Sequence, residues 1–261
     1  MAGFDSHCHL DFLDDPGHCM ASAQSAGLDH WLVPGTGPDQ WQQAHRQFSE
    51  DPRVSLAAGH HPWFLPEQPA DTRTLVSWLD RHSDCVAIGE IGLDFFKHHP
   101  ESPSAQHQFD WFLAQLAIAR DRNLPVIIHS VKAHDRILQG LKRFPSVVGV
   151  VHGFVGPYVQ AMAYVDRGFY LGAGSVIFQS AKTLDALARI PAERVLVETD
   201  APDQRIAVQH LSGSHSFQPE GLDNPLLDWS STVSRLAEAR GLKPEVFQEQ
   251  VSQNATVLFG G

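Results

Sequence analysis

Short apolar runs recur along this chain, separated by longer segments whose apolar residues fall at helical spacing. The first run, Phe4-Asp-Ser-His-Cys-His9, alternates in character and reads as a strand, with side chains pointing to two faces in turn. Further strands are predicted over Leu28–Val33 and residues 54–61, 86–92, 125–129, 147–152, 169–173 and 194–200. Between them, helices are predicted over residues 16–27, 40–48, 72–81, 104–122, 133–143, 158–167 and Ala181–Arg189. Leu75, Trp78 and Leu79 share one stripe, and Phe109, Phe112, Leu113 and Leu116 mark the longest helix. A loop rich in polar residues, Gly and Pro (201–224) precedes a helix over 225–240, with Leu226, Trp229, Val233 and Leu236 inward, and a last helix over 245–253. Several strands are apolar throughout, the pattern of strands covered on both faces by crossover helices. Eight such strands alternating with helices in 261 residues predict one α/β domain, residues 1–261: a (β/α)8 TIM barrel with an extra C-terminal helix.

Composition narrows the class. Hydrophobic residues make up 43% and charged residues 19%, the balance of a soluble globular protein. No apolar run approaches the ~18 residues of a membrane span, and no basic-then-apolar leader is visible. Cys8, Cys19 and Cys85 form no Cys-x-x-Cys pair, which fits a reducing cytoplasm. No obligate protein partner is evident. A net charge of −11 argues against a broad basic surface for nucleic acid. A phosphodiester substrate would need bound cations to supply the local positive potential.

Candidate chemistry stands at the ends of the strands, where barrel enzymes carry their sites. His7 and His9 project from one face of the first strand as a chelating pair. His61 ends the third strand, Glu90 interrupts the fourth, and His129, His152 and Asp200 end the fifth, sixth and eighth. A lone histidine at such a place is more often a rim or core residue than a ligand. Together, several desolvated imidazoles and two carboxylates would be costly to bury without a cation. Four imidazoles (His7, His9, His129, His152) and two carboxylates (Glu90, Asp200) exceed one tetrahedral ion. They suit two divalent ions roughly 3.5–4 Å apart. Glu90 is then the bridge, Asp200 joins His7 and His9, and His129 and His152 hold the second ion. With no thiolate in the set, Zn2+, Mn2+, Co2+, Ni2+ or Mg2+ would serve. Glu198 lies one layer below Asp200 as a supporting partner, Cys8 faces the helices, and His98, His99, His107, His134, His210 and His215 read as surface residues.

The motifs Phe4-Asp-Ser-His-Cys-His-Leu-Asp11, Gly59-His-His-Pro62, Ala87-Ile-Gly-Glu-Ile-Gly-Leu-Asp94, Leu124-Pro-Val-Ile-Ile-His129, Val151-His-Gly-Phe-Val-Gly156 and Glu198-Thr-Asp-Ala-Pro202 occur in that order. With the closing Asn254-Ala-Thr-Val-Leu-Phe259, the chain resembles the TatD family of metal-dependent deoxyribonucleases from residue 3 to 259. The resemblance implies an amidohydrolase-type TIM barrel that hydrolyses phosphodiester bonds in DNA. Matched motif by motif, it places metal ligands on His7, His9, Glu90, His129, His152 and Asp200. Val131 stands where the family usually carries arginine, with Lys132 beside it, and Trp63 where a second histidine is common. The expected activity is hydrolysis of phosphodiesters, most readily at DNA ends. Water activated by two cations would attack, Asp200 would accept its proton, and His61 would contact phosphate. Two alternatives stay open: an amide or lactone hydrolase on the same barrel, or a metal-binding protein without enzymatic activity. The first usually bridges its metals with a modified lysine on strand four, where this chain has Glu90.

Overall fold

Glycine, proline and polar residues punctuate the apolar runs, and the runs pair side by side in the order in which the chain makes them. The computed structural model describes residues 2–96, 102–206 and 224–260. Its eight parallel strands are β1 (Gly3–Asp5), β2 (Leu28–Val33), β3 (Val54–Ala58), β4 (Cys85–Asp94), β5 (Val126–Val131), β6 (Gly149–Val151), β7 (Tyr170–Ala173) and β8 (Val195–Val197). Helices α1 (Pro16–Ser25), α2 (Pro38–Phe48), α3 (Arg73–Arg81), α4 (Ala105–Arg122), α5 (His134–Leu141), α6 (Tyr158–Val165), α7 (Ala181–Arg189) and α8 (Asp228–Arg240) cover the outside, and α9 (Pro244–Phe259) follows. This is a TIM barrel with an extra C-terminal helix.

Strand alternation divides the apolar side chains into two sets. Phe4, Leu32, Ala57, Ala87, Ile127, Val150, Tyr170 and Leu196, one from each strand, fill the lumen, and Ala255 and Phe259 of α9 join them. Neighbouring positions such as Trp31, Val33, Val126, Ile128, Val195 and Val197 point outward into the larger core beneath the helices. The last helix is longer than its predicted span of 245–253. Val251, Ala255 and Phe259 recur every four residues and keep one face buried to the end. The segment 225–240 divides into a 3-10 turn (Pro225–Leu227) and α8. Among the described residues, no helix is long and apolar enough to cross a membrane.

The ring closes where β8 meets β1. Ser6 donates its backbone N–H (3.1 Å) and its hydroxyl (3.2 Å) to the Val197 carbonyl. Trp229 on α8 spans the same seam, its indole N–H donating to the Phe4 and Val197 carbonyls at 3.2 Å each. The Asp5 carboxylate accepts from the Thr199 N–H (3.1 Å), the Thr199 hydroxyl (2.7 Å) and the His7 N–H (3.2 Å). β1 is shorter than the predicted run. Beyond Asp5, the N–H groups of Cys8 and His9 go to Leu32 and Ala201 at 3.0 and 2.7 Å, so the chain stays pinned while leaving the regular ladder.

Burial pushes the Asp5 carboxyl up from 3.8 to about 8, against the pull of its three hydrogen bonds. The folded chain then holds a proton that the unfolded chain releases near pH 3.8. The stability this group contributes is present below about pH 4 and is lost as pH rises through about 8. D5N removes the titration while nearly keeping the shape. Its melting temperature relative to the parent chain should therefore climb steadily from pH 4 to pH 8. A difference that stays constant over that range would refute the assignment.

Candidate metal centre at the barrel mouth

Alternation that sends Ile127 and Val150 into the lumen sends His129 and His152 inward one layer higher, and after Leu196 it does the same for Glu198 and Asp200. β4 departs from the pattern. Its register against β5 shifts between Ile88 and Ile91, and Glu90 turns inward beside Ala87 instead of outward. Past the end of β1, His7 and His9 meet edge to face with ring centroids 5.3 Å apart, and His7 stacks on His152 at 3.9 Å. Asp200 sits at φ +56°, a conformation Asp tolerates, with its N–H donating to the His7 carbonyl at 2.9 Å. Loop residues that read as scattered in the chain thus converge on one mouth.

Glu90 is at the centre and has two sides. Its Oε1 lies 2.7 Å from His129 Nδ1, 2.7 Å from His152 Nε2 and 3.4 Å from His61 Nε2. Its Oε2 faces the other group, 3.4 Å from His7 Nε2 and 3.9 Å from His9 Nε2. Asp200 Oδ1 stands 3.4 Å from His7 Nε2 and 3.8 Å from His9 Nε2. Ligand atoms fall into three compact sets: His7, His9 and Asp200; His7, Glu90 and His152; His61, Glu90 and His129. His7 is fully buried, yet neither ring nitrogen makes a hydrogen bond among the described residues, nor does His9 Nδ1. Leaving such groups dry and unpaired costs about 1–3 kcal/mol each, and a cation at the cluster would satisfy His7 Nε2, the nitrogen that faces Glu90 and Asp200. The residues fit a metal site.

Outer partners set which nitrogen faces inward, and the tautomers are assigned from them. His129 Nε2 pairs with Asp94 Oδ2 at 3.2 Å, which leaves Nδ1 as the nitrogen that faces Glu90. Asp94 also accepts the Trp63 indole N–H at 2.8 Å. Glu198 faces His152 Nδ1 at 3.6 Å and accepts the Gly153 N–H. A carboxylate behind a histidine orients its ring and raises its basicity toward a metal. His61 differs. Its Nδ1 accepts the Trp63 N–H at 3.2 Å, so its Nε2 carries the proton and presents a donor to the cluster.

Electrostatics follow from burial and crowding. Burial and the neighbouring His152 lower His7 to about 3, and burial lowers His9 to about 4, so both are neutral and able to coordinate near neutral pH. Burial would raise Glu90, but His152, His61 and His7 hold it well below the usual carboxylate range. Burial would lower His152, but Glu90 and Glu198 draw it well above the usual imidazole value. Asp200 is pushed up to about 7, by burial first and by Glu90 and Glu198 as well, against His152.

All seven residues singled out from the sequence lie in this cluster. Asp94 was not singled out. It shares β4 with Glu90 four positions later and closes the motif Ala87–Asp94, which was its signal. Gln204, whose amide donates to Asp200 Oδ2 at 2.5 Å, lies on a loop with no periodicity to reveal it. Cys8 is buried against the Leu32 carbonyl, away from the cluster. His107 and His134 are not simple surface residues: His107 Nε2 pairs with the Pro66 carbonyl at 2.7 Å, and half-buried His134 pairs with Ser130, Tyr164 and the Val155 carbonyl. His98, His99, His210 and His215 lie outside the described residues.

A TIM barrel whose mouth gathers imidazoles around a shared carboxylate defines a metal-dependent hydrolase. Comparison with known proteins agrees. The family model described as TatD related DNase matches residues 4–260. The chain is 37% identical over 208 residues to the uncharacterized metal-dependent hydrolase YjjV of Escherichia coli, covering 76% of this chain and 79% of that one. It is 32% identical to the 3'-5' ssDNA/RNA exonuclease TatD of Citrobacter rodentium, covering 95% and 93%. The crystal structure of Escherichia coli YjjV superposes with a TM-score of 0.84 at 29% identity, covering 99% of this chain and 98% of that one. The chain belongs to the TatD related DNase family.

Gly172 on β7 leaves the space that Glu198 occupies, and a Cβ there would overlap Glu198 Oε2. G172A should displace that carboxylate from behind His152. Loss of such support commonly costs roughly 10–100-fold in metal affinity. Calorimetric metal titration should show this loss, with the circular dichroism spectrum unchanged. Parent-like affinity would mean that Glu198 does not support the site.

Proposed function

We propose that this chain, acting as one domain over residues 1–261, is a divalent-metal-dependent phosphodiesterase that cleaves DNA from its ends and prefers single strands. The two-sided placement of Glu90 carries the reading: one oxygen addresses His7 and His9, and the other addresses His129 and His152. His7, His9 and Asp200 would hold one ion, His129 and His152 the other, and Glu90 both. Imidazole and carboxylate donors without thiolate suit Zn2+, Mn2+, Co2+, Ni2+ or Mg2+. Ions held there would acidify a water and stabilise charge on phosphoryl oxygens. Asp200, beside His7 and His9, would accept the proton of that water. His61 would donate its Nε2–H to a phosphoryl oxygen. β4 carries Glu90 and no lysine, which weighs against a lysine-bridged amide or lactone hydrolase. Three free cysteines, two of them buried, support a cytoplasmic setting.

The mouth also favours a flexible strand. Phe12, Trp63, Phe64 and Phe96 follow the ends of β1, β3 and β4 and are 49%, 46%, 59% and 47% exposed. Base stacking on such rings is worth about 1–3 kcal/mol per base and tolerates any sequence. Lys132 Nζ lies 4.4 Å from the Phe96 ring centroid, adding a cation at the same rim. With a net charge of −11, stacking and the bound ions would supply most of the affinity. The name of the Citrobacter relative, a 3'-5' ssDNA/RNA exonuclease, points the same way.

Glu90→Gln keeps the side-chain shape but removes the charge that both ions would share. Metal counting by mass spectrometry should show one ion lost, and DNA hydrolysis should fall by more than about 100-fold, beyond the usual cost of a supporting group. Two ions with near-normal turnover would sink the bridge. The rim makes a separate claim. F96A should raise KM for single-stranded DNA about 5- to 150-fold, the loss expected from one to three kcal/mol of stacking. It should leave metal content and hydrolysis of a small phosphodiester unchanged. Equal losses on both substrates would rule out stacking at the rim.

A further inference from the structure

At the opposite end of the barrel, three ligand atoms converge where the cluster at the mouth plays no part. His45 lies in the last turn of α2, His82 caps the carboxyl end of α3, and Asp84 precedes the first residue of β4. In this fold, helix carboxyl ends and strand amino ends share the face remote from the catalytic mouth. Asp84 and Glu90 are separated by roughly 20 Å at ~3.3 Å per strand residue.

His45 Nε2 is 3.0 Å from His82 Nδ1 and 3.3 Å from Asp84 Oδ2, and all three atoms lie within 4.8 Å of one another. Protons alone serve this arrangement poorly. His45 Nε2 either carries a hydrogen or offers a lone pair. Its one hydrogen can go to His82 Nδ1 or to Asp84, and if it accepts from His82 instead, its lone pair faces the Asp84 carboxylate. A cation among the three satisfies every donor atom at once. Tetrahedral zinc with bonds of about 2.0–2.1 Å sets its ligand atoms about 3.3 Å apart, close to the two distances from His45 Nε2, and the His82 and Asp84 atoms lie within 4.8 Å of each other.

The rings are already held. His82 stacks on Trp78 at 3.9 Å and 29°, and His45 meets the same indole edge-on at 5.8 Å and 90°. Trp78 itself is buried. The Cys85 N–H donates to the His82 carbonyl at 3.3 Å and closes the turn that brings His82 and Asp84 together. Burial and the adjacent His45 lower His82, which favours the neutral imidazole that coordinates.

We propose that His45, His82 and Asp84 form a second, structural metal site that binds Zn2+, with water completing its shell, and ties α2 to the α3–β4 turn. Two imidazoles and one carboxylate select a borderline ion over Ca2+ or Mg2+. The site is independent of the mouth, so its ion should survive in Glu90→Gln and leave catalysis unaffected when removed. Because the ion would bind the folded chain alone, added zinc should also raise the melting temperature.

The test counts zinc per chain by mass spectrometry after dialysis of the full-length protein at matched free zinc. H45A/H82A should carry one zinc fewer than the parent chain, lose the zinc-dependent rise in melting temperature assigned to this site, and keep the parent rate of DNA hydrolysis. Equal zinc counts at every free-zinc level would overturn the proposal. D84N, which alters only an exposed carboxylate, keeps the test decisive if the double variant folds poorly. It should weaken binding of that one ion at least about tenfold. An unchanged zinc titration in D84N would overturn the proposal equally.

Discussion

Everything at the mouth depends on keeping one carboxylate charged inside a barrel. Glu90 is 2% exposed, and burial alone would drive it toward its neutral form. The imidazoles around it reverse that tendency through their positive charge and N–H groups. Asp94 behind His129 and the Trp63 N–H on His61 set which nitrogen of those rings faces inward, and Glu198 lies behind His152 at 3.6 Å. The cluster is therefore one electrostatic unit, and a change to any outer partner is felt at Glu90.

The barrel supplies the rigidity this unit requires. One apolar side chain per strand fills the layer below the cluster, and Phe259 of α9 packs near Phe4 with ring centroids 6.4 Å apart. The seam between β8 and β1 is the point at which the ring could open, and it is also where His7, His9 and Asp200 are carried. Hydrogen bonds from Ser6, Asp200 and His9, the Asp5–Thr199 contacts and the Trp229 indole hold that seam on both sides. Closing the barrel and assembling the site are thus the same set of contacts. The loops above carry the exposed rings of Phe12, Trp63, Phe64 and Phe96. On the remote face, His45 and His82 rest on Trp78, where a metal would strengthen the scaffold without touching the chemistry.

Much of this was legible in the chain. Apolar runs ending in polar residues marked the strands, because a lumen must be filled with apolar side chains and its rim wetted. The same logic placed His129 and His152, which continue the alternation of β5 and β6 by one step. Motif order identified the family, and the matched relatives agree. Element ends were less accurate: β1 stops at Asp5, β3 at Ala58 and β8 at Val197, since ladder pairing ends before the apolar pattern does.

What the sequence determined by itself was periodic: the eight strands, their burial, and the presence of imidazoles and carboxylates near their ends. Periodicity could not say that Glu90 turns inward, because that follows from a register shift between β4 and β5 and not from its place in the run. Nor could it choose between the nitrogens of His61 and His129, which are set by Trp63 and Asp94 across the mouth. His45, His82 and Asp84 come together only when α2 packs beside α3. Local pattern fixes which face of its own element a side chain takes. Distances between elements, and the hydrogen bonds that choose a tautomer, exist only after the ring has closed.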